Sequence, residues 1–361
     1  MAVYEQKQAL EAPSSTKGAI HWIKENLFSS PLNTIMTLMG FGFLYIIIPP
    51  LLQWAYFDAN FVGTTREQCT GDGACWVFIK MKMDMFLYGF YPETELWRLK
   101  AIVIMFVALV IGLRFIKSGK VKFGIVFSYF IISLILTAGG IFGLESVPTD
   151  KWGGLMLTIV VASVGIVFSF PIGIIVAFGR QSNLPIIRSV CVTYVEMIRG
   201  VPLITILFMS SVILPLFFPE GISFDKLLRA LIGITLFQAA YVAENIRGGL
   251  QAIPKGQYEA ADAIGLSYWQ KMLLVILPQA LKVAIPNLAG AFISLFQDTT
   301  LVLIIGLFDL LAMVRITAAD SHWLGMETEG YVFVTVIFWA FCYGMSRYSN
   351  KLEKQFDTNL K

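Results

Sequence analysis

Glu196 with Arg199, Glu244 with Arg247, and Asp298 followed by Thr299 and Thr300 put ionisable and hydroxyl groups inside or at the ends of long apolar runs. A charge at the centre of a bilayer costs about 2.5–3.5 kcal/mol on insertion scales, so such a group pairs with another or faces a pathway. The first two pairs have a spacing of three, which places the partners on one helical face where they can offset each other. Glu196 and Arg199 are followed by Gly200 and Pro202, where a helix opens readily. They read equally as a gate or substrate-facing patch and as a structural pair at a helix interface. Glu244 and Arg247 end an apolar run and favour a structural pair supporting the loop that follows. Asp298 with its neighbouring hydroxyls can hold a primary ammonium group, or it can hydrogen-bond between helices. Where these groups face a pathway, theirs is the chemistry of holding a charged solute. Bond-making chemistry has no comparable support, because His21 and His322 are too few and too scattered for a multi-histidine metal site. No clustered nucleophile and base stand out, and Gly119-Lys120 is followed by Val121 where a phosphate-binding loop needs Ser or Thr. No catalytic and no metal-binding residue is expected.

The elements that must position these residues are membrane helices. Of 361 residues, 57% are hydrophobic and 14% charged, against roughly 25% charged in soluble domains. Eight runs are long and apolar enough to span, at residues 32–55, 99–116, 123–143, 153–179, 190–218, 227–247, 280–305 and 330–346. An all-α integral membrane protein of about eight helices is expected. Residues 1–30 form a tail that ends in a short interfacial helix near 21–27, where Trp22 and Lys24 suit the headgroup region. Residues 31–150 form an accessory region of three spans with a large loop at 56–98. Residues 151–361 form a five-helix core in which Pro171, Pro202, Pro215, Pro278 and Pro286 interrupt the apolar runs. Broken helices are tolerated in lipid where protein or water receives the freed backbone groups, so the pathway belongs to this second half.

Lys and Arg in short loops set the orientation. Lys7, Lys17 and Lys24 precede the first run, and Arg114, Lys117, Lys120 and Lys122 join the second to the third. Arg180 and Arg188 join the fourth to the fifth, Arg247, Lys255 and Lys271 flank the loop after the sixth, and Arg347, Lys351, Lys354 and Lys361 follow the last. With an even number of spans all of these fall on the cytoplasmic side, with both termini. The loop 56–98 then lies outside despite Arg66, Lys80, Lys82 and Arg98, being long enough for the charge rule to weaken. It holds Cys69 and Cys75 around a Gly-Asp-Gly turn that can bring two sulfurs together, and a disulfide there would need an oxidising compartment. Two free thiols are the alternative. Cys191 and Cys342 lie in apolar runs and read as small buried hydrophobes. The net charge of +3 gives no argument for nucleic acid.

Between the sixth and seventh runs lies a polar interruption, QYEAADAIGLSYWQKMLLVILP, at 257–278. Glu259, Ala260, Ala261 and Asp262 make a short helix of small and acidic residues, Gly265 allows a change of direction, and Leu266–Leu277 supplies a second helix. Pro278 stops or bends that helix as the chain enters the membrane. A plain connector needs only polarity and a few residues, so the block reads as a docking surface. It resembles the EAA motif of type I ABC-importer permeases, EAA-x3-G-x9-I-x-L-P, through Glu259, Ala260, Ala261, Gly265, Leu277 and Pro278, with Val275 in place of Ile. VEMIRGVPLITILF at 195–208, the segment 239–267 and LPQALKVAIPNLAGAFISLFQDTTLVLIIG at 277–306 resemble the polar amino-acid branch of that family. FSSPLNT at 28–34, IPPLL at 48–52 and GACW at 73–76 are similar to the larger permease subunits of general L-amino-acid uptake systems, the AapM and BztC type.

That resemblance implies a MetI-like fold in the bacterial inner membrane, with loop 248–278 coupling the chain to two cytoplasmic ABC ATPases that bind ATP and Mg. It implies no cofactor in this chain. A periplasmic amino-acid-binding protein would deliver L-amino acids. A homologous permease, in preference to a second copy, would complete the route. Transport would run by alternating access, with Glu196, Arg199, Gly200, Glu244, Asp298, Thr299 and Thr300 along the pathway. Gln297 stands where family permeases commonly have Lys, which leaves side-chain selectivity open. The alternatives are a stand-alone ion-coupled secondary amino-acid transporter, in which the EAA-like loop has no purpose, and a membrane-bound enzyme, which the poverty of catalytic groups disfavours.

Overall fold

A computed structural model describes residues 18–219 and 224–357. Lys7 and Lys17 of the expected tail, and Lys361, lie outside the described residues. The chain separates into two compact units, one ending at Val77 and the other beginning at Phe78.

In the first unit, α1 (Ala19–Leu27) precedes α2 (Pro31–Leu52). Pro31 opens α2 and the Ser30 side chain accepts from the Asn33 amide at 3.2 Å, so the sequence Ser-Pro supplies both an N-cap and a residue preset for the first turn. Pro49 and Pro50 remove two amide donors near its end, and the chain continues as a wider π-helical turn, Gln53–Phe57. Beyond it, Cys69 and Cys75 are joined by a disulfide with their Cα atoms 5.6 Å apart. Backbone bonds from Asn60 to Ala74 at 2.8 Å and from Trp76 to Asn60 at 3.0 Å hold the same segment.

The second unit follows α3 (Trp76–Met81) with α4 (Met83–Tyr88), α5 (Leu96–Gly112), α6 (Gly119–Ala138), α7 (Gly154–Arg180), α8 (Pro185–Arg199) and α9 (Leu203–Phe208). It continues through α10 (Lys226–Gln251), α11 (Lys255–Ala263), α12 (Tyr268–Gln270), α13 (Leu277–Asp298), the short strand β1 (Phe308–Asp309), α14 (Leu310–Ala318) and α15 (Glu327–Asp357). Its centre is α10, packed on α7 and α13. Leu157, Val161, Ile234 and Leu295 bury one stretch of that interface, and Ala177, Ala243, Ile246 and Ala284 the other. Small residues let the backbones approach. A Cβ on Gly249 would lie 2.4 Å from the Ala280 carbonyl oxygen, so the α10–α13 contact requires glycine there. Gln238 and Asn245 of α10 each donate to an α13 carbonyl at 3.2 Å, to Ala291 and Asn287 respectively.

Among the described residues six helices are long and apolar enough to cross a membrane, and a seventh crossing arises if a bent pair counts as one span. Two of the eight expected spans therefore differ. The run at 190–218 is not one helix: α8 and α9 meet at 105°, because Pro202 lacks an amide donor and disfavours helix at the residue before it. Gly200 caps α8 with an ordinary φ of −80°, so the proline makes the break. The run at 99–116 is α5, whose 17 residues reach about 25 Å. Nor does the chain divide at residue 150. Tyr91 donates to the Thr137 carbonyl at 3.0 Å, buried Arg98 donates to the Glu145 carbonyl at 2.7 Å, and Phe130 packs on Phe168, so α5 and α6 are bound into the core unit.

Candidate functional site

The polar interruption folds as a short exposed helix set between two spans. α11 ends in a six-residue cap: the Gly265 amide donates to Asp262 at 3.0 Å and the Leu266 amide to Ala261 at 3.2 Å, with Gly265 left-handed at φ 76°. Lys271 reaches back to Asp262 at 2.6 Å. The Ser267 and Gln270 side chains cap the next helix reciprocally. Ala261 and Leu277 are buried, whereas Glu259, Ala260, Asp262 and Pro278 are exposed. Small size at Ala261 thus serves packing beneath α11, and the exposed set is free for a partner. Ile264, Trp269 and Leu274 are also exposed, at 74%, 59% and 69%. Pro278 does not end a helix. The π-helical turn Lys271–Ile276 precedes it, and α12, that turn and α13 run on as one 38-residue segment to Ile305. The wide turn relieves the clash between the proline ring and the carbonyl four residues earlier.

Behind the loop, five charged residues converge from three helices. Arg180, the last residue of α7, donates to Glu244 of α10 and, at 3.0 Å, to Glu196 of α8. Arg247 meets Glu244 at 2.5 Å, and Arg199 lies 3.6 Å from the same carboxylate with its guanidinium 5.7 Å over the Tyr241 ring. Glu196 and Arg199 are on one face, as their spacing requires, but they do not offset each other. That face of α8 meets Arg180 and Glu244, so each finds its partner on another helix. Arg180 enters the sequence reading only as an orienting charge, although a single cation ending a 27-residue apolar helix is a visible signal.

At the other end of α13, about 32 Å away at 1.5 Å per residue, Asp298 is half-buried and is its last residue. Thr299 donates to the Phe296 carbonyl at 2.7 Å and Thr300 to the Gln297 carbonyl at 3.0 Å. A cavity of about 660 Å³ opens between α13, α14 and α15, lined by Gln297, Thr300, Arg315, Tyr331 and Trp339 among others. Thr300 faces it; Asp298 and Thr299 do not. Arg315 is absent from the sequence reading because one arginine in a nine-residue helix has no pattern to mark it.

Asp309 anchors α14, accepting from the Leu311 amide at 3.2 Å and the Ala312 amide at 3.0 Å. Burial pushes its carboxyl up to about 6. A raised pKa means that the folded state binds the proton more tightly, so this group's stabilising contribution is full below about pH 4 and is lost as pH rises through about 6. Asp309→Asn is expected to gain thermal stability relative to the parent between about pH 4 and pH 7, by an amount approaching roughly 3 kcal/mol. Melting curves in detergent across that range check it, and a constant difference between the two proteins would refute it.

A family model described as the inner membrane component of binding-protein-dependent transport systems matches residues 169–356. The chain is 51% identical to the inner membrane amino-acid ABC transporter permease protein YhdY of Escherichia coli (strain K12), over 96% of this chain and 95% of that one. It is 38% identical to the glutamate/glutamine/aspartate/asparagine transport system permease protein BztC of Rhodobacter capsulatus, over 95% of each. A solved structure of an amino acid ABC transporter with histidines aligns at 28% identity over 56% of this chain and 92% of its own, with a TM-score of 0.49.

Proposed function

The chain belongs to the family of binding-protein-dependent transport system inner membrane components, and from that premise we propose that it is the permease subunit of an ATP-driven importer of L-amino acids in the bacterial inner membrane. Two cytoplasmic ABC ATPases bind ATP and Mg and dock on α11. A periplasmic binding protein delivers the amino acid, and a homologous permease forms the other half of the route. Hydrolysis belongs to the ATPases.

The observation that carries this reading is the exposed α11 segment. A short helix held at its end by a glycine cap displays Glu259, Ala260 and Ile264 outward, and its following turn runs without a break into a membrane helix. Such a rigid link passes a push on α11 directly to α13. The Glu244 cluster, joining α7, α8 and α10 close behind the loop, makes the same push common to three further helices. Alternating access then follows from ATPase closure moving these elements together.

Counting both the bent α8–α9 pair and α5 as crossings gives eight spans, with both termini, α11 and the Glu244 cluster on the cytoplasmic side. The contacts of Tyr91 and Arg98 with the Thr137–Glu145 segment support an antiparallel α5 and α6. The disulfide loop then faces the periplasm, where an oxidising environment favours the bridge.

The test is uptake of radiolabelled L-amino acids into proteoliposomes carrying the complex purified with its associated chains and supplied with the binding protein. Uptake is expected to require ATP and to be insensitive to ionophores. Uptake that survives stripping of the ATPases and collapses with the ion gradient would assign the chain to secondary transport instead.

A further inference from the structure

We infer that a second cavity, at the corner between α7 and α8, binds the phosphate headgroup of an anionic glycerophospholipid. It measures about 510 Å³ and is lined by Ser182, Asn183, Pro185, Arg188, Ser189 and Val192. The two helices set its depth in the membrane. α7 is an apolar helix of 27 residues ending at Arg180, about 40 Å long at 1.5 Å per residue against a hydrocarbon core of roughly 30 Å. The turn that follows it therefore stands at headgroup level, whichever way the chain is oriented. α8 starts at Pro185, and Pro185, Arg188, Ser189 and Val192 recur at helical spacing, so one face of its first two turns lines the cavity.

The lining is rich in donors and holds no carboxylate among the described residues. Arg188 supplies a guanidinium fork, Asn183 an amide and Ser189 a hydroxyl; the Ser182 oxygen accepts from the Leu184 amide at 3.1 Å, which leaves its own proton to donate. The next acid along that face of α8, Glu196, is two turns beyond Ser189 and pairs with Arg180 at 3.0 Å. Such a set favours phosphate, because the guanidinium takes an oxyanion bidentately and neutral donors satisfy the remaining lone pairs. The surroundings select the source of the phosphate. Leu184, Ile186, Ile187 and Val190 are exposed beside the cavity. A dissolved phosphate gains nothing from them, whereas a phospholipid lays its acyl chains along them while its headgroup enters the cavity.

The full chain, purified with its associated subunits, would be exchanged into detergent with equal amounts of phosphatidylglycerol and phosphatidylcholine, and the retained lipids counted by native mass spectrometry. Phosphatidylglycerol is expected to be retained over phosphatidylcholine by about tenfold. Arg188→Gln should erase that preference. Lys120→Gln, which removes an exposed cation from the start of α6, should leave it unchanged. Ser189→Leu fills the cavity and keeps the charge; it should also erase the preference, and it keeps the assignment testable if Arg188→Gln fails to assemble. Equal losses in Arg188→Gln and Lys120→Gln would reduce the effect to general attraction between a basic surface and anionic lipid, and overturn the site. No preference in the parent overturns it as well. Displacement of phosphatidylglycerol by inorganic phosphate alone would assign the cavity to a soluble phosphate and overturn the lipid.

Discussion

Glu244→Gln is expected to lower ATP-driven uptake roughly tenfold to a hundredfold, the scale of a typical coupling free energy, while the chain still inserts and assembles. Glutamine keeps the size of the side chain and removes its charge. Three guanidinium groups, Arg180, Arg199 and Arg247, now share one carboxylate at Glu244. Without it, Glu196 alone is left among the described residues of the cluster to offset them. Removing one partner of a fully buried pair costs about 3–5 kcal/mol; Glu244 keeps 21% of its side chain exposed, so about 2–3 kcal/mol is the appropriate scale. Melting temperature and uptake should therefore fall together. Glu244→Asp, which keeps the charge and shortens the reach, should lie between. Glu196→Gln should be mild, because that side chain is 60% exposed and surface pairs contribute at most about 1 kcal/mol. Equal effects at Glu196 and Glu244 would sink the idea that Glu244 is the hub of the cluster.

The second large effect is expected at Gly265. Its φ of 76° is left-handed, yet a Cβ there meets nothing within 4 Å. The demand is on the backbone and not on space. Gly265→Ala should therefore be nearly as damaging as a bulkier residue, costing about 1–2 kcal/mol in the cap and weakening ATPase association by roughly tenfold. Asn, which tolerates the left-handed region, should retain most of the association, whereas Val should retain least. Pull-down of the ATPases with each variant, alongside uptake, gives the order. A ranking that followed side-chain volume alone would mean that the partner's surface, and not the cap, reads this position.

Several of these features are visible in the chain before any folding. The EAA-type spacing, the amino-acid permease segments and the similarity to general L-amino-acid permeases all point to the family that the comparisons identify. Gly265 is legible because a left-handed cap leaves a chemical mark. Other residues leave none. The pairing of Glu196 with Arg180 and of Arg199 with Glu244 depends on a 105° break between α8 and α9, and Pro202 announces a break without fixing its angle. Asp298 and Thr300 look alike in sequence, two residues apart at the end of one helix, but only Thr300 lines the cavity. Pro278 is a helix breaker by local rules, and a π-helical turn absorbs it because the surrounding helices hold both sides.

The amino-acid sequence by itself determined that this protein is helical and lives in lipid, and its EAA-type spacing resembles that of the importer family to which the comparisons assign it. The helical, membrane-embedded character follows from composition, from run length set by bilayer thickness, and from local backbone preferences, all of which act along the chain; the family is legible only through the resemblance of its motifs. Only the tertiary structure decided which charges meet, which face of α11 is free and which residues surround a cavity. These depend on helix rotation and crossing geometry, set by the packing of glycine and alanine between α7, α10 and α13, where a shift of a few ångströms exchanges one partner for another.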